Sequence, residues 1–187
     1  EEISKPYCSV SDFIHILQQC RRSKSSDYAR RVYISAQKGG FLSHRDVGNY
    51  IVPMFVDCGN VLDAWRIFPK LPDRNEFSWT SLLHAFIDSG EENHAFNLYE
   101  QMKEENITPS KFTFPTLINA CAVTPLEHKH SGLSIHTDII KEGYEGDLFI
   151  CNALVDMYAK WGALIEAQEV LDEMLVRDQV SWTSLMT

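Results

Sequence analysis

The stretch Ser78-Trp79-Thr80-Ser81-Leu82 returns unchanged as Ser181-Trp182-Thr183-Ser184-Leu185, 103 residues further along the chain. The same offset relates four more pairs, namely Asn49 and Asn152, Met54 and Met157, Gly59 and Gly162, and Ala64 and Ala167. A single five-residue match could arise by chance, but an offset shared by several separated positions indicates an internal repeat.

The 103-residue unit contains three shorter modules of unequal length. In chain order, the expected divisions are an N-terminal extension at 1–9, modules at 10–44, 45–75, 76–110, 111–147 and 148–178, and the start of another module at 179–187. The module at 111–147 is two residues longer than its earlier copy. We place the excess near Thr124–His130, where it is expected to lengthen the turn between two helices.

Each module contains two stretches with helical spacing of apolar residues. In 76–110 the first stretch places Phe77, Leu82, Leu83, Phe86 and Ile87 on one helix face and ends at Gly90. The second stretch ends before Pro109. A pair of helices this short cannot bury both of its faces, so neighbouring pairs must stack. The sequence therefore predicts an all-α fold, an α-solenoid of tandem helix-turn-helix repeats.

Composition excludes several classes of function. The chain has 187 residues, 44% of them hydrophobic, and lacks an apolar run long enough to cross a membrane. The five cysteines form no C-x-x-C pair, and His128, His130 and His136 have no Cys or acidic ligand at a suitable spacing. We therefore expect buried thiols, solvated loop histidines at 128 and 130, no metal and no cofactor. Without a phosphate-binding loop or a deaminase signature, we expect no enzymatic activity.

Individual modules resemble a known repeat family. Residues 152–162, Asn-Ala-Leu-Val-Asp-Met-Tyr-Ala-Lys-Trp-Gly, resemble the short (S) repeat of PLS-class pentatricopeptide repeat proteins, although the family usually has Cys where Trp161 stands. Residues 76–110 resemble the standard (P) repeat, and 112–121 with Ile135-His136 resemble the long (L) repeat. Tetratricopeptide repeats also have paired helices, but their constant length near 34 residues does not fit.

The resemblance implies a fold and a function. It implies a right-handed superhelix and a protein of plant organelles, chloroplast or mitochondrion, that binds single-stranded RNA with one repeat per nucleotide. The modules at 10–44 and 111–147 would be L repeats, those at 45–75 and 148–178 S repeats, and those at 76–110 and 179–187 P repeats. We interpret the chain as part of a longer protein whose transit peptide, and a deaminase-like domain for C-to-U editing if it has one, lie elsewhere.

The resemblance also assigns base-reading positions. The fifth residue of a repeat and its last residue would together read a base, and short side chains with defined hydrogen-bonding groups suit that task. The base-recognition residues carried over are Asn49, Asn75, Thr80, Ser110, Asn152, Asp178 and Thr183. Ile14 and Pro115 occupy the fifth position of the L repeats and cannot make such bonds. The family code would make Asn152 with Asp178 prefer uracil, and the expected motif is n-Y-R-n-U-R from 5′ to 3′.

Four residues three positions before the fifth would sandwich bases by apolar contact, namely Phe77, Phe112, Phe149 and Val180. The Phe series fits packing between repeats equally well, and the polar residues fit helix caps. The net charge of −9 opposes nucleic-acid binding, although a solenoid can keep one favourable face. A protein-interaction solenoid, docking RNA-editing accessory proteins or forming a homodimer, is therefore the alternative function.

Overall fold

The computed structural model describes residues 9–184, with the backbone alone at 125 and 126. Eleven α-helices lie in this part of the chain. They are α1 (Val10–Ser23), α2 (Ser26–Lys38), α3 (Arg45–Asp57), α4 (Val61–Ile67), α5 (Glu76–Asp88), α6 (Glu92–Glu104), α7 (Thr113–Val123), α8 (Pro125–Lys141), α9 (Leu148–Lys160), α10 (Leu164–Glu173) and α11 (Gln179–Ser184). Residues 1–8 of the expected N-terminal extension lie outside the described residues.

The chain divides into two compact units, Glu1–Ser89 and Gly90–Thr187. In the first unit α1, α3 and α5 pack side by side, and α2 and α4 pack against them. In the second unit α7, α9 and α11 form the corresponding layer, and α8 and α10 pack on it. We call the odd-numbered helices the first helices and the even-numbered ones the second helices. The predicted all-α solenoid of helix pairs is confirmed.

Polar caps and glycines set the helix ends. The side chains of Ser9, Ser25 and Asn75 accept hydrogen bonds from backbone N–H groups in the first turns of α1, α2 and α5. Gly90 and Gly162 follow the ends of α5 and α9 with φ values of 75° and 72°, a conformation that glycine adopts without strain. The helix end that the sequence predicted at Gly90 is therefore confirmed.

The apolar face predicted for α5 is largely buried. Leu82, Leu83 and Phe86 lie in the core together with Trp79, which the spacing argument did not include. Phe77 differs from the expectation because its side chain is 43% exposed. It is the second residue of α5 and directly precedes the buried residues Ser78 and Trp79. Its apolar character therefore does not serve the core of this unit.

The segment at 124–130 is not the lengthened turn that the sequence suggested. Thr124 alone separates α7 from α8, because α8 begins at Pro125. A proline at the first position of a helix costs no hydrogen bond. The extra length is absorbed in α8, which is kinked at His128 (φ −115°, ψ 17°). The prediction of a solvated loop histidine was also wrong for His128, whose buried ring lies 4.5 Å from that of Phe96, whereas His130 is exposed.

The cysteines within the described residues are free and buried: Cys20, Cys58, Cys121 and Cys151. Burial raises the pKa of Cys20 and of Cys121 to about 12, as expected for inert thiols. Cys8 lies outside the described residues. No helix of the described chain has the length and apolar character that a membrane crossing requires.

Candidate nucleic-acid interface

The fifth-position residues occupy equivalent places in the first helices. Ile14, Asn49, Thr80, Asn152 and Thr183 are each the fifth residue of their helix. Asn49 is 3% exposed, and Thr80 and Asn152 are each 9% exposed. They therefore lie beneath the surface layer of side chains, where polar groups require hydrogen-bond partners. Pro115 is the third residue of α7, because that helix begins two residues later than the repeat.

Asn152 lies at the centre of a hydrogen-bonded cluster. Its Nδ2 donates to Oδ1 of Asp178 at 3.2 Å, and its Oδ1 accepts from the hydroxyl of Ser181 at 2.6 Å. The Ser181 backbone N–H donates to Oδ1 of Asp178 at 2.9 Å. The fold thus brings together the two residues that the repeat resemblance paired, although 26 positions separate them.

Asn49 makes the matching arrangement in the first unit. Its Oδ1 accepts from the backbone N–H of Asn75 at 3.0 Å, and the Asn75 side chain accepts from the backbone N–H of Ser78 at 3.1 Å. Asn49 and Asn75 are again 26 positions apart. Here the Ser78 hydroxyl donates to the Asn75 carbonyl at 2.8 Å rather than to Asn49. The same polar cluster is therefore built twice, in two chemical versions.

The serine of each cluster was not among the site residues predicted from the sequence. Ser78 and Ser181 are both fully buried and begin the repeated Ser-Trp-Thr-Ser-Leu stretch. The exact repetition of this stretch was the available signal. The recurrence of a small polar residue before Trp is not explained by the spacing of apolar residues. Each serine fixes the last residue of one repeat onto the first turn of the next helix.

The two Asn side chains are not helix caps, whereas their partners are. Asn49 and Asn152 lie one turn inside their helices, and Asn49 Nδ2 donates to the Arg45 carbonyl at 3.0 Å. Asn75 is the N-cap of α5, and Asp178 receives the Ser181 N–H in the first turn of α11. The capping interpretation therefore accounts for the last-position residues but not for the fifth-position ones.

Thr80 and Ser110 belong to different units, and each has local partners. The Thr80 hydroxyl donates to Oε1 of Glu76 at 3.0 Å. Ser110 Oγ accepts from the backbone N–H of Phe112 at 3.3 Å. Thr183 is exposed, and its hydroxyl donates to the Gln179 carbonyl at 3.0 Å. Within single units, the structure therefore brings together the pairs Asn49–Asn75 and Asn152–Asp178.

Capacity for a further ligand remains at the Asn152 cluster. An amide has two N–H donors and an oxygen with two lone pairs, and one of each is used inside the protein. Hydrogen bonds from the Ser181 backbone, the Ser181 hydroxyl and Asn152 outweigh desolvation and hold the pKa of Asp178 below its usual range. Asp178 is therefore ionised at neutral pH and presents a second carboxylate oxygen, Oδ2.

The four proposed sandwich residues are exposed. Each is the second residue of a repeat, and their exposed fractions are 43% for Phe77, 67% for Phe112, 76% for Phe149 and 53% for Val180. Exposure of this extent argues against a main role in packing between repeats, although the Phe77 ring contacts the Tyr50 ring of the preceding module edge-on. Apolar side chains in a repeated position at the start of successive first helices provide flat surfaces on which a planar ligand could stack.

The acidic charge is unevenly distributed. Residues 90–187 contain sixteen of the 26 acidic residues and only six of the 17 basic ones. Within α7, α9 and α11, however, Asp156 and Lys160 are the only charged residues, and they pair at 2.7 Å. The acidity of this unit thus lies on its second helices and turns. The helices α7, α9 and α11 themselves have no net charge, and the ionised Asp178 stands at the start of α11. The net charge of the whole chain therefore does not by itself exclude a polyanionic ligand.

Comparison with known proteins identifies the repeats. Residues 74–123 match the PPR repeat family, and residues 149–178 match the PPR repeat. Pentatricopeptide repeats are therefore present at 74–123 and 149–178. The repeats are 32% identical, over 94% of this chain, to the chloroplastic pentatricopeptide repeat-containing protein At4g25270 of Arabidopsis thaliana, and 33% identical over 83% to the mitochondrial protein At3g09040.

Solved structures agree on the fold. The PPR domain of Arabidopsis thaliana protein-only RNase P 1, in complex with tRNA, superposes with a TM-score of 0.70 at 13% identity, covering 94% of this chain and 96% of that one. The maize protein PPR10 superposes with a TM-score of 0.61 at 16% identity, covering 97% of this chain and 29% of that one. The chain spans 33% of At4g25270 and 15% of At3g09040, so these relatives are much longer.

Proposed function

We propose that these repeats form a sequence-selective binding module for single-stranded RNA, with one repeat per nucleotide and no catalytic activity of its own. The observation that carries the proposal is the pairing of Asn152 with Asp178, and of Asn49 with Asn75, in two equivalent clusters. Each cluster lies between consecutive first helices. A base that enters there would meet fixed donors and acceptors rather than mobile side chains.

The chemistry of the Asn152 cluster suits uracil. The pairing edge of uracil has one N–H donor flanked by carbonyl oxygens. The unused N–H of Asn152 would donate to a carbonyl, and Asp178 would accept from the N–H. Because the Ser181 hydroxyl and backbone hold both side chains in place, little conformational entropy is lost on binding. The Asn49 cluster lacks a carboxylate, so we assign it a pyrimidine rather than uracil alone.

The exposed residues Phe77, Phe112, Phe149 and Val180 would stack on or sandwich the bases. Stacking on an aromatic side chain contributes about 1–3 kcal/mol per base. Thr80 with Ser110 would favour a purine, and Thr183 would begin the next position. The proposed target is therefore n-Y-R-n-U-R, read 5′ to 3′ along the chain.

The setting of this function is also a proposal. Relatives named chloroplastic and mitochondrial support an organellar location, and a structural relative in complex with tRNA supports an RNA ligand. We assign the modules to the PLS class, and their role to target-site recognition in organellar RNA processing or C-to-U editing. Any editing domain would belong to another part of a longer protein.

One observation favours the alternative of protein binding. The second helices of the second unit carry most of its acidic residues, for example Glu166, Glu169 and Glu173 on α10, together with the exposed apolar residues Leu164 and Ile165. An editing accessory protein or a second copy of the chain could dock there. This face is separate from the layer that contains Asn152, so the two functions do not exclude each other.

Fluorescence anisotropy with two labelled RNAs tests the proposal. One RNA carries the n-Y-R-n-U-R core, and the other has a scrambled core of the same composition. Preference for the first RNA supports both RNA recognition and the repeat assignments. Equal binding to both would refute the base assignments. Absence of binding even at low salt, with self-association in sedimentation, would favour the protein-binding alternative.

A further inference from the structure

The C-terminal end of α1 forms one side of an open basic cleft of 460 Å³. The residues that line it are Gln18, Arg21, Arg22, Lys24 and Asp57. Arg21 Nε donates to Oδ2 of Asp57, which closes the α3 side of the cleft. Within residues 9–184, neither Arg22 nor Lys24 has an acidic partner. The cleft therefore holds three cations against one carboxylate.

Arg21 connects this cleft to a proposed stacking residue. Its guanidinium carbon lies 5.7 Å from the centroid of the Phe77 ring, and the Tyr50 ring contacts Phe77 edge-on at 6.3 Å. Only one of the five N–H donors of Arg21 is used by Asp57. The remaining donors adjoin both the cleft and the exposed ring.

We propose that this cleft binds a backbone phosphate of the RNA whose base stacks on Phe77. The inference rests on the proposed RNA-binding function and extends it. A guanidinium donates charge-assisted hydrogen bonds to a phosphate, and a cation that has no acidic partner in the protein gains the most binding energy from a phosphate. Asp57 repels the phosphate, but it also fixes the guanidinium, so that less entropy is lost on binding.

The second copy of the repeat lacks this cleft. At the offset that relates Cys20 to Cys121, Ala122 stands where Arg21 does, and Val123 where Arg22 does. Val123 is exposed, so no core constraint excludes a basic residue there. The module at 10–44 also has Ile14 at its base-reading position. This module thus binds the RNA backbone instead of recognising a base, and other modules recognise the bases.

The test compares the Arg22→Gln/Lys24→Gln double variant with a control, Arg31→Gln/Lys38→Gln. Both remove two exposed positive charges, and the control residues lie on α2. We expect the cleft variant to bind the n-Y-R-n-U-R RNA about ten-fold more weakly, since losing the charge-assisted contact to one phosphate is worth about one decade. The slope of the logarithm of the binding constant against the logarithm of the salt concentration should become shallower by about 0.7 for each lost phosphate contact.

Base preference separates this inference from the proposed function. The cleft variant should retain its preference for the designed RNA over the scrambled one, because phosphate contacts carry no sequence information. Inorganic phosphate at constant ionic strength should not compete, since the ligand is a phosphate held within an RNA chain. If both double variants lose affinity and salt dependence equally, the cleft has no special role while RNA binding stands. If the unaltered chain binds no RNA, both proposals fail.

A milder substitution guards against misfolding. Arg21→Lys keeps the charge and the pairing with Asp57 but removes the planar, multiply donating guanidinium. We expect an affinity loss of several-fold with unchanged circular dichroism. Unchanged affinity in Arg21→Lys would show that the contact with Phe77 does not matter, and would overturn the assignment of Arg21 to the phosphate.

Discussion

Asp138 is the best place to test how the second helices are held together. This residue of α8 accepts from the Tyr99 hydroxyl at 3.0 Å and pairs with Lys103 of α6 at 2.7 Å. Its side chain is only 13% exposed. Asp138→Asn keeps the shape and the acceptor for Tyr99, but it removes the charge that attracts Lys103. Because hydrogen bonds to charged groups contribute about 1.5–3 kcal/mol, we expect a loss of about 2 kcal/mol at pH 7.

The effect should depend on pH with a defined sign. Burial opposes the charged form, but the bonds from Lys103 and Tyr99 outweigh it, and the pKa of Asp138 lies below the ordinary value of 3.8. A carboxyl with a lowered folded-state pKa stabilises the fold above its unfolded pKa and loses that contribution as the pH falls through its folded pKa. The difference in the free energy of unfolding between the unaltered chain and Asp138→Asn should therefore have its full value at pH 7 and decrease below about pH 4.

Urea unfolding followed by circular dichroism, at pH 7 and at pH 3, measures this difference. Asp172→Asn is the control, because the Asp172 side chain is exposed and its carboxylate, within residues 9–184, accepts from Gln168 of its own helix. The control should change stability by less than about 0.5 kcal/mol. If Asp138→Asn costs no more than the control at pH 7, or if its cost stays the same at pH 3, the reasoning is refuted. RNA base preference should be unaffected, since Asp138 lies on a second helix.

Two further predictions concern packing and stacking. A Cβ on Gly132 would lie 2.4 Å from an indole carbon of Trp161, so Gly132→Ala should destabilise the protein by about 1–2 kcal/mol even after the gain in helix propensity. Gly146→Ala, with nothing within 4 Å, should leave the melting temperature nearly unchanged, and equal effects would contradict the packing argument. Phe149→Ala should weaken RNA binding about ten-fold without lowering stability, because the ring is 76% exposed. Ile165→Ala, exposed to a similar 74%, is its control, and equal loss of RNA binding would contradict the stacking role.

The architecture could be predicted because it is repeated. The shared offset of 103 residues and the helical spacing of apolar residues are properties of the sequence alone, and helix ends at Gly90 and Gly162 follow from local backbone preferences. The fifth-position residues could be located only through the family resemblance. Their pairing with residues 26 positions away depends on the stacking of consecutive first helices, which the structure supplies.

Several features had no local signal. His128 was expected in a solvated loop because the two extra residues of its module were placed in a turn at Thr124–His130, but Pro125 opens α8, and at the first position of a helix proline costs no hydrogen bond. Its burial depends on Phe96, a residue of a different helix. The basic cleft likewise depends on the contacts of Arg21 with Asp57 and with Phe77, which come from two other helices or their ends. Contacts between distant residues of this kind are set by packing, which the spacing of apolar residues does not specify.

The central claim is that Asn152 reads one base. The most direct measurement uses two RNAs that differ only at the predicted uracil, replaced by adenine in the second RNA. We expect the unaltered chain to favour uracil about ten-fold, and we expect Asn152→Ala to bind the two RNAs equally. Asn97→Ala, which removes an exposed amide from α6, should keep the full preference. Equal binding of both RNAs by the unaltered chain, or an unchanged preference in Asn152→Ala, would contradict the account.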